Sequence, residues 1–322
     1  MKVVVLSGGV GGARFTRGLL AHLGPGHEVT VVANTGDDLW LHGVRVCPDL
    51  DTLMYTLGGA VHEGQGWGRA DESTRVSTDL AAYGLGWDWF TLGDLDLATC
   101  LARTELLRGG LPLSAATDRL AQRWDLGVRL LPMTDAEVET HARLADGTLL
   151  HFEEWWVRHH ATLPAVGFEQ VGLSGSVAAP GVVEALVSAD VVVLPPSNPV
   201  VSVGTILAVP GVREAITSTP APVVGVSPII GGAPVRGMAD ACLTAIGVPT
   251  TASAVARHYG LRRTGGLLDA WVVDDADAAS VPGLREHGLV CGATDTLMRD
   301  VASTARIAAF ALDLVGPVPS AG

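Results

Sequence analysis

The first fifty residues constrain the fold of this chain more than any other stretch. Residues 2–6, KVVVL, have the composition of a buried strand, and the glycine-rich turn SGGVGGAR follows at 7–14. An apolar-periodic helix is predicted from Phe15 to Leu23, and a second strand, EVTVVAN, at 28–34. A strand that runs through a glycine turn into a helix brings unpaired backbone N–H groups and the positive end of a helix dipole to one point. The chain therefore begins with a site suited to a phosphate.

Acidic residues follow the second predicted strand. The segment NTGDDLW occupies 34–40, and PDLDTLMYTLGG occupies 48–59. Ligands of an open α/β sheet sit beyond the carboxyl ends of its strands, so these aspartates are expected near whatever the glycine turn holds. Carboxylates beside a phosphate require a cation between them. The four residues concerned are Asp37, Asp38, Asp49 and Asp51.

Several classes of site are disfavoured by the residues that the chain lacks. Gly9, Gly11 and Arg14 do not complete G-x-G-x-x-G, and Asn34 stands where a ribose-binding acid belongs, which argues against a nicotinamide or flavin dinucleotide. Lys2 is the only lysine, so a P-loop and Schiff-base chemistry are excluded. The formal net charge of -13 argues against a nucleic-acid partner, which would require a basic face.

The sequence predicts a soluble, cytoplasmic protein without a membrane partner. Lys2 leads directly into a strand rather than into the apolar segment of a signal peptide. The longest apolar stretch, residues 182–194, is interrupted by Glu184 and Asp190 and is too short to span a bilayer.

Strands and helices alternate at both ends of the chain, which predicts the α/β fold class. We expect a doubly wound, mostly parallel, Rossmann-like sheet built from residues 1–60 and 180–322. Residues 61–179 lack this alternation and are predicted to form an inserted helical and β-hairpin region that contributes to a substrate pocket.

The insertion contains a strong hairpin signal. Two alternating runs flank Asp146-Gly147, so a hairpin is predicted over residues 139–158. Neighbours on a strand face opposite ways, so one of Trp155 and Trp156 is expected in the core while the other lines something. We predict a homodimer with this hairpin at its interface. The alternative is that both tryptophan rings are buried within one subunit.

Two later strand ends also carry residues of the kind that bind ligands. A predicted strand stops at Pro195-Pro196, which leaves Ser197 and Asn198 at the carboxyl edge of the sheet. A second glycine-rich turn, SPIIGGAPVRG, follows another strand at 227–237. Together with the first turn, three strand ends point to one ligand edge.

Seven motifs in this order resemble those of the CofD/FbiA family, the 2-phospho-L-lactate transferases of coenzyme F420 biosynthesis. They are SGGVGGAR at 7–14, NTGDDLW at 34–40, CPDLDTLMYTLGG at 47–59, HFEEWWVR at 151–158, PPSNPVVSVG at 195–204, SPIIGGAPVRGMAD at 227–240 and GATDTLMRD at 292–300. The resemblance spans nearly the whole chain, and it is far more specific than the glycine turn alone.

The resemblance implies a transferase that joins the deazaflavin alcohol Fo to the phosphate of a lactyl- or enolpyruvyl-diphosphoguanosine. The products are F420-0 or dehydro-F420-0, and GMP. The actinobacterial branch, which this arginine- and alanine-rich chain resembles, is expected to use the phosphoenolpyruvyl donor. The alternative from another class is a nucleotide-sugar-binding regulator of the gluconeogenesis-factor family, which is similar in the first glycine turn and the following acidic loop.

The chemistry of the residues and the family resemblance together predict the site residues. Mg²⁺ is the expected cofactor, because it takes oxygen ligands and keeps waters for substrate phosphates. Its candidate ligands are Asp37, Asp49 and Asp51, with Asp37 and Asp51 as the catalytic residues. Turn formation by Asp37 or Asp38, and helix capping by Asp49, are the alternatives. The predicted substrate contacts are Gly9, Gly11, Gly12, Asn34, Thr35, Asp38, Arg103, Ser197, Asn198, Ser227 and Gly231, with Trp67, Trp87 and Trp89 as walls for the deazaflavin ring.

One segment departs from the family pattern. The resemblance implies an LGDRD segment with a histidine shortly after it, whereas this chain reads LGDLDLATC, with Leu95 and Cys100 at those positions. If the family arginine contacts a phosphate, this chain either binds its donor differently or uses Arg103 instead.

Overall fold

The computed structural model describes residues 1–86 and 89–316. Its strands are β1 (Lys2–Ser7), β2 (Glu28–Ala33), β3 (Leu39–Leu41), β4 (Val44–Val46), β5 (Arg129–Pro132), β6 (Glu139–Leu144), β7 (Leu149–His151), β8 (Ala165–Val171), β9 (Val191–Leu194), β10 (Val223–Val226), β11 (Ile229–Ile230), β12 (Ala233–Pro234), β13 (Ala270–Asp274) and β14 (Val290–Thr294). Its α-helices are α1 (Gly9–Leu23), α2 (Pro48–Leu57), α3 (Arg75–Ala82), α4 (Asp94–Arg108), α5 (Leu113–Ala121), α6 (Val182–Val187), α7 (Val203–Ala208), α8 (Val212–Ser218), α9 (Ala239–Ala245), α10 (Ala252–Tyr259), α11 (Val281–Glu286) and α12 (Val301–Leu314).

The central sheet has seven strands in the order β14-β13-β10-β9-β1-β2-β5, and every neighbouring pair is parallel. The chain builds outward from β1 toward β5, then returns to the other side of β1 with β9 and continues to β14. The order therefore switches direction between β1 and β9. This architecture confirms the predicted α/β, doubly wound, Rossmann-like fold class.

Helices cover both faces of this sheet because its strands are apolar on both sides. Val3 and Val5 face a core that also contains α1, α2 and α12, whereas Val4 and Leu6 face a core built with α6 to α11. Side chains on a strand alternate between faces, so a run of consecutive valines supplies both cores at once.

Segment 61–179 is not wholly separate from the sheet. Strand β5 pairs with β2 from Thr30↔Arg129 to Ala33↔Pro132 and forms the sheet edge. The remainder contains helices α3 to α5 and a small antiparallel sheet in the order β7-β6-β8. The division into a core and an insertion stays a prediction.

The predicted hairpin forms between β6 and β7, with Thr148 N–H donating to Asp146 Oδ1 at 2.9 Å in its turn. Beyond His151, however, the chain does not continue as a strand, because residues Glu154–Arg158 form a π-helical turn. Trp155 is buried, and its indole N–H donates to the Leu163 carbonyl at 2.8 Å.

Across the described ranges, 1–86 and 89–316, no helix is both long enough and apolar enough to cross a membrane.

Candidate active site

A cavity of about 190 Å³ opens at the carboxyl ends of β1 and β9, where the strand order switches direction. This is the position at which open α/β sheets bind their ligands. Eight of the residues predicted from sequence line it: Gly9, Gly11, Asp37, Asp49, Trp67, Ser197, Asn198 and Ser227. Other lining residues were not predicted, among them Arg14, Phe152, Trp156, Arg236, Met238 and Met298.

The first glycine turn is shaped by close approaches that exclude side chains. Gly9 has a φ of +64°, and its N–H donates to Asp49 Oδ1 at 2.7 Å. A Cβ on Gly8 would lie 2.6 Å from Asp49 Oδ2, and one on Gly11 would lie 2.4 Å from the Pro196 carbonyl oxygen. Gly12 packs instead against Ser7, whose Oγ would be 2.1 Å from an added Cβ. Gly12 is therefore a packing residue and does not line the cavity.

The strand end after β9 is tied to this turn. Ser197 Oγ accepts the Gly8 N–H at 3.2 Å and donates to the Gly8 carbonyl at 2.7 Å. Asn198 Oδ1 accepts the Val200 N–H at 2.9 Å, which fixes the chain as it enters α7. The two loops that meet at the switch in strand order thus form one rigid wall.

Asp37 and Asp49 converge on one side of the cavity although they come from different elements. Asp37 lies in the turn after β2, and Asp49 lies in the first turn of α2. Asn34 Nδ2 donates to Asp37 Oδ2 at 3.1 Å and to Asp49 Oδ2 at 2.9 Å. Asp37 Oδ1 is buried and has no hydrogen-bond partner among the described residues.

Burial dominates the electrostatics of this carboxylate group. It raises the pKa of Asp37 well above its usual range, and the charges of Asp49, Glu153 and Asp38 raise it further. Burial also raises the pKa of Asp49 to about 6, against the hydrogen bonds from Asn34 and Gly9. For Glu153, burial followed by the charges of Asp49 and Asp38 raises the pKa to about 8. Among the described residues, no positively charged side chain offsets the burial of these three carboxyl groups.

Three predicted substrate contacts lie behind the cavity lining. Asn34, Thr35 and Asp38 are buried, with relative exposures of 0%, 1% and 0%. Asp38 faces Arg45, with Arg45 Nη2 3.7 Å from Asp38 Oδ2. These residues support the wall and are not among those that line the cavity.

The structure does not bring Asp51 and Arg103 to the cavity. Arg103 is fully buried and pairs with the Asp51 carboxylate through both terminal nitrogens, and its Nη1 also donates to the Arg45 carbonyl at 3.2 Å. The predictions of Asp51 as a metal ligand beside Asp37, and of Arg103 as a phosphate contact, find no support in this geometry. Residues two apart on a helix point about 200° apart, so α2 cannot present Asp49 and Asp51 to the same site. The two-residue spacing of Asp49 and Asp51, which the sequence already shows, indicates that the two side chains point in different directions.

The departure from the family pattern also lies near Asp51. Ligand atoms of Asp51, Asp96 and Cys100 lie within 4.8 Å of one another, a spacing that suits a cation. The Arg103 guanidinium already neutralises Asp51, so this group is an ion pair with buried neighbours rather than a metal site. Leu95 is 37% exposed, and its N–H donates to Glu72 Oε1 at 2.7 Å. Neither Leu95 nor Cys100 lines the cavity.

Aromatic residues at the cavity differ from those predicted. Trp67 lines it and is 53% exposed, whereas Trp89 does not line it and contacts Phe90 at a ring-centroid distance of 5.8 Å. Trp87 lies outside the described residues. Phe152 and Trp156, 5.8 Å apart by ring centroids, line the cavity instead. This placement agrees with the prediction that one tryptophan of the 155–156 pair lies outside the core and lines a surface, because Trp156 lines the cavity.

The second glycine turn contributes Ser227 but not Gly231. The Ser227 hydroxyl donates to the Ile229 carbonyl at 2.9 Å and accepts the Ile229 N–H at 3.1 Å. The Gly231 N–H donates to Asp277 Oδ2 at 2.9 Å, away from the cavity lining.

Two arginines of the cavity lining, Arg14 and Arg236, supply positive charge, and sequence reasoning missed both. Arg14 Nη2 donates to the Glu63 carbonyl at 3.1 Å, and Arg236 Nη1 donates to the Gln65 carbonyl at 2.6 Å. Burial lowers the pKa of Arg14, and the nearby positive charge of Arg236 lowers it further. Each arginine ends or follows a glycine-rich turn, which is the only local signal of its role. Both guanidinium groups reach a shared loop over residues 60–70.

The chain is similar to known proteins over almost its whole length. The family model described as 2-phospho-L-lactate transferase CofD matches residues 3–300. A Kitasatospora aureofaciens protein named phosphoenolpyruvate transferase is 56% identical over 321 residues, covering 99% of each chain. A protein with the same name from Streptomyces coelicolor is 55% identical over 324 residues, covering 100% of each chain. Another from Mycolicibacterium smegmatis is 50% identical over 329 residues, covering 98% of this chain and 99% of the relative.

A solved structure is similar in fold. The crystal structure of a Bacillus halodurans protein of the UPF0052 family superposes with a TM-score of 0.64 at 18% identity, covering 97% of this chain and 98% of that one. At this identity the similarity shows the fold alone. Because the family model matches almost the whole chain and the curated relatives share about half of its residues, this protein belongs to the CofD family of 2-phospho-L-lactate transferases.

Proposed function

We propose that this protein is a Mg²⁺-dependent transferase of coenzyme F420 biosynthesis that acts in the cytoplasm. It moves a phosphoenolpyruvyl group from a diphosphoguanosine donor to the deazaflavin alcohol Fo and releases GMP. The names of the relatives favour the phosphoenolpyruvyl over the 2-phospho-L-lactyl donor. One observation carries the proposal: a cavity at the switch in strand order is lined by two carboxyl groups, Asp37 and Asp49, and by two guanidinium groups, Arg14 and Arg236.

The arginine wall suits the diphosphate of the donor. Arg236 lies close enough for its charge to act on Arg14, and both guanidinium groups donate to backbone carbonyls, whereas the nearby Glu63 carboxylate is paired with Arg17. Guanidinium groups bind phosphate oxygens with paired, charge-assisted hydrogen bonds. The N-terminus of α1, at Gly9, adds its backbone dipole to the same region.

The two aspartates of the cavity lining suit a hard cation. Asp37 and Asp49 offer carboxylate oxygens, and the buried Asp37 Oδ1 lacks any other partner within the described chain. Mg²⁺ is typically held by one or two carboxylates together with substrate phosphates and water. Bound there, it would neutralise negative charge on the phosphate oxygens during the displacement. Asp37 and Asp49, rather than Asp51, are the proposed ligands.

The apolar part of the cavity suits the flat acceptor ring. Trp156, Phe152 and Trp67 supply aromatic faces, and Met238 and Met298 supply flexible apolar contacts. A ring held here would direct its polyol chain toward the arginine and aspartate walls. The terminal hydroxyl then attacks the phosphorus that bears the three-carbon acid and gives its proton to water, a new O–P bond forms, and the P–O bond to GMP breaks, so that GMP leaves with its phosphate. The residues of the chain contribute by positioning and by balancing charge.

The decisive experiment is to incubate purified protein with Fo and each donor and to identify products by mass spectrometry. We expect dehydro-F420-0 and GMP from the phosphoenolpyruvyl donor. Asp37→Asn should lower the rate by about a hundredfold or more while the protein remains folded, because the change keeps the side-chain shape and removes the charge. Excess chelator should abolish turnover. Retention of a uridine sugar without turnover would favour the regulatory alternative, and full activity in chelator would exclude the cation.

A further inference from the structure

Among the residues that the structure describes, Asn34 is the one side chain that donates hydrogen bonds to both Asp37 and Asp49. It lies at the end of β2 and has a relative exposure of 0%. Its Oδ1 accepts the Gly36 N–H at 3.0 Å, and because a backbone N–H only donates, the Asn34 NH₂ group must face the aspartates. The two hydrogens of that group are then directed at Asp37 Oδ2 and Asp49 Oδ2, at 3.1 and 2.9 Å.

This arrangement uses both hydrogens of the amide and one of the two lone pairs of its oxygen, and the buried side chain exposes no surface to a substrate. The residue is not among those that line the cavity, unlike the two aspartates that it contacts. The sequence-based prediction that Asn34 binds substrate is therefore not supported. What the amide does is join the turn after β2 to the first turn of α2 through one nitrogen atom.

The Asn34 amide opposes the electrostatic repulsion between the Asp37 and Asp49 carboxylates. Two buried carboxylates that share a wall repel one another when both are ionised, as binding of one cation requires, and each would move apart or rotate if nothing held it. Asp49 has a second anchor, the Gly9 N–H at 2.7 Å, but the Asn34 contact is the one side-chain hydrogen bond of the Asp37 carboxylate among the described residues. Loss of the amide should therefore release Asp37 in particular.

We propose that Asn34 is a positioning residue that holds the Asp37 and Asp49 carboxylates at the spacing needed to share one divalent cation. The inference rests on the cation site of the proposed function. Side chains that orient metal ligands typically change metal affinity by about 10–100-fold when they are removed.

The test measures Mn²⁺ affinity by the electron paramagnetic resonance signal of the free ion, in the absence of substrates and well below the melting temperature. Asn34→Ala should weaken Mn²⁺ binding about 10–100-fold. Thr140→Val is the matched control, because Thr140 packs against the same turn, with its N–H 2.6 Å from the Gly36 carbonyl, and does not contact either aspartate. We expect wild-type Mn²⁺ affinity in this control.

Asn34→Ser guards against a folding defect. Its hydroxyl can still accept the Gly36 N–H, as serine does in turns, but it is too short to bridge both carboxylates. Weakened Mn²⁺ binding in a folded Asn34→Ser protein supports the proposal. Wild-type affinity in either folded variant overturns it while leaving the cation site intact. Absence of Mn²⁺ binding to the wild-type protein would instead overturn the cation site itself, and this inference with it.

Discussion

Asp49 and Asp51 occupy positions two apart in α2 and have opposite environments. Asp49 lines the cavity, whereas Asp51 neutralises the fully buried Arg103. Asp51→Asn leaves that guanidinium buried without a counter-charge, so we expect a loss of about 3–5 kcal/mol in the free energy of unfolding. Asp49→Asn should cost about 1 kcal/mol at most and lower turnover by about a hundredfold. Urea unfolding and product assays of both variants check this.

A double variant provides the control for the ion pair. Replacing Asp51 by Leu and Arg103 by Met removes both charges together, and it should recover most of the lost stability. A stable but inactive Asp51→Asn protein would instead indicate that Asp51 is a metal ligand.

The buried Glu153 carboxyl group makes the free energy of unfolding depend on pH. Its pKa in the folded protein is about 8, above the ordinary value of 4.5, because of burial and the charges of Asp49 and Asp38. The folded state therefore favours the neutral acid, and the stability that this contributes is present below pH 4.5 and lost as the pH rises through 8. In chelator, Glu153→Gln should match the wild-type melting temperature near pH 5 and exceed it at pH 9. Parallel melting curves over this range would contradict the assignment.

At the scale of elements, the 60–70 loop is held over the cavity by the two arginines. Its ends are joined by the Ala70 N–H and the Ala60 carbonyl at 2.8 Å, and Arg236 donates to the carbonyls of Gln65 and Gly64 at 2.6 and 3.3 Å. Arg236→Met keeps the apolar stem but removes these charged donors. Hydrogen exchange of the His62 and Gly66 amides should then accelerate at least about tenfold. Arg143→Met, which breaks only an exposed pair with Glu169, should leave it unchanged.

The sequence was most informative where one element carries its own signal. The valine-rich run at 2–6 predicted the buried strand β1, and Asp146-Gly147 predicted the β6–β7 turn. The π-helical turn at Glu154–Arg158 was not predicted, because the same residues also read as a continuing strand and packing of Trp155 against Phe152 and Phe168 decides between them. Strand β14 was missed because it is a short edge strand without clear alternation.

The site was predicted less completely because its residues converge only in the fold. Glycines and aspartates next to strand ends were found from position alone. Arg14 and Arg236 are 222 positions apart (236 − 14) and meet only through the order of the strands. Trp156 faces the cavity because of the π-helical turn. Such convergence is not visible in any local pattern.

At the scale of the whole molecule, the homodimer stays a prediction, but the tryptophan pair no longer motivates it. Trp155 is 1% exposed within the subunit, and Trp156 lines the cavity. Trp156→Ser should therefore leave the oligomeric mass unchanged and raise the KM for Fo about tenfold or more, through loss of stacking on the ring. Light scattering and steady-state kinetics test both parts. A fall in mass with an unchanged KM would place Trp156 at a subunit interface.

The central position of β1 has a consequence for how the protein is made. Its two neighbours in the sheet are β2, which follows after 20 residues (Ser7 to Glu28), and β9, which begins at Val191. During synthesis, the first strand is therefore left with one open side until more than half of the chain has emerged from the ribosome. Strand pairs so far apart in sequence form slowly, because the entropy cost of closing the loop comes before the contacts that offset it. We expect nascent chains that end before β9 to remain open to chaperones and proteases.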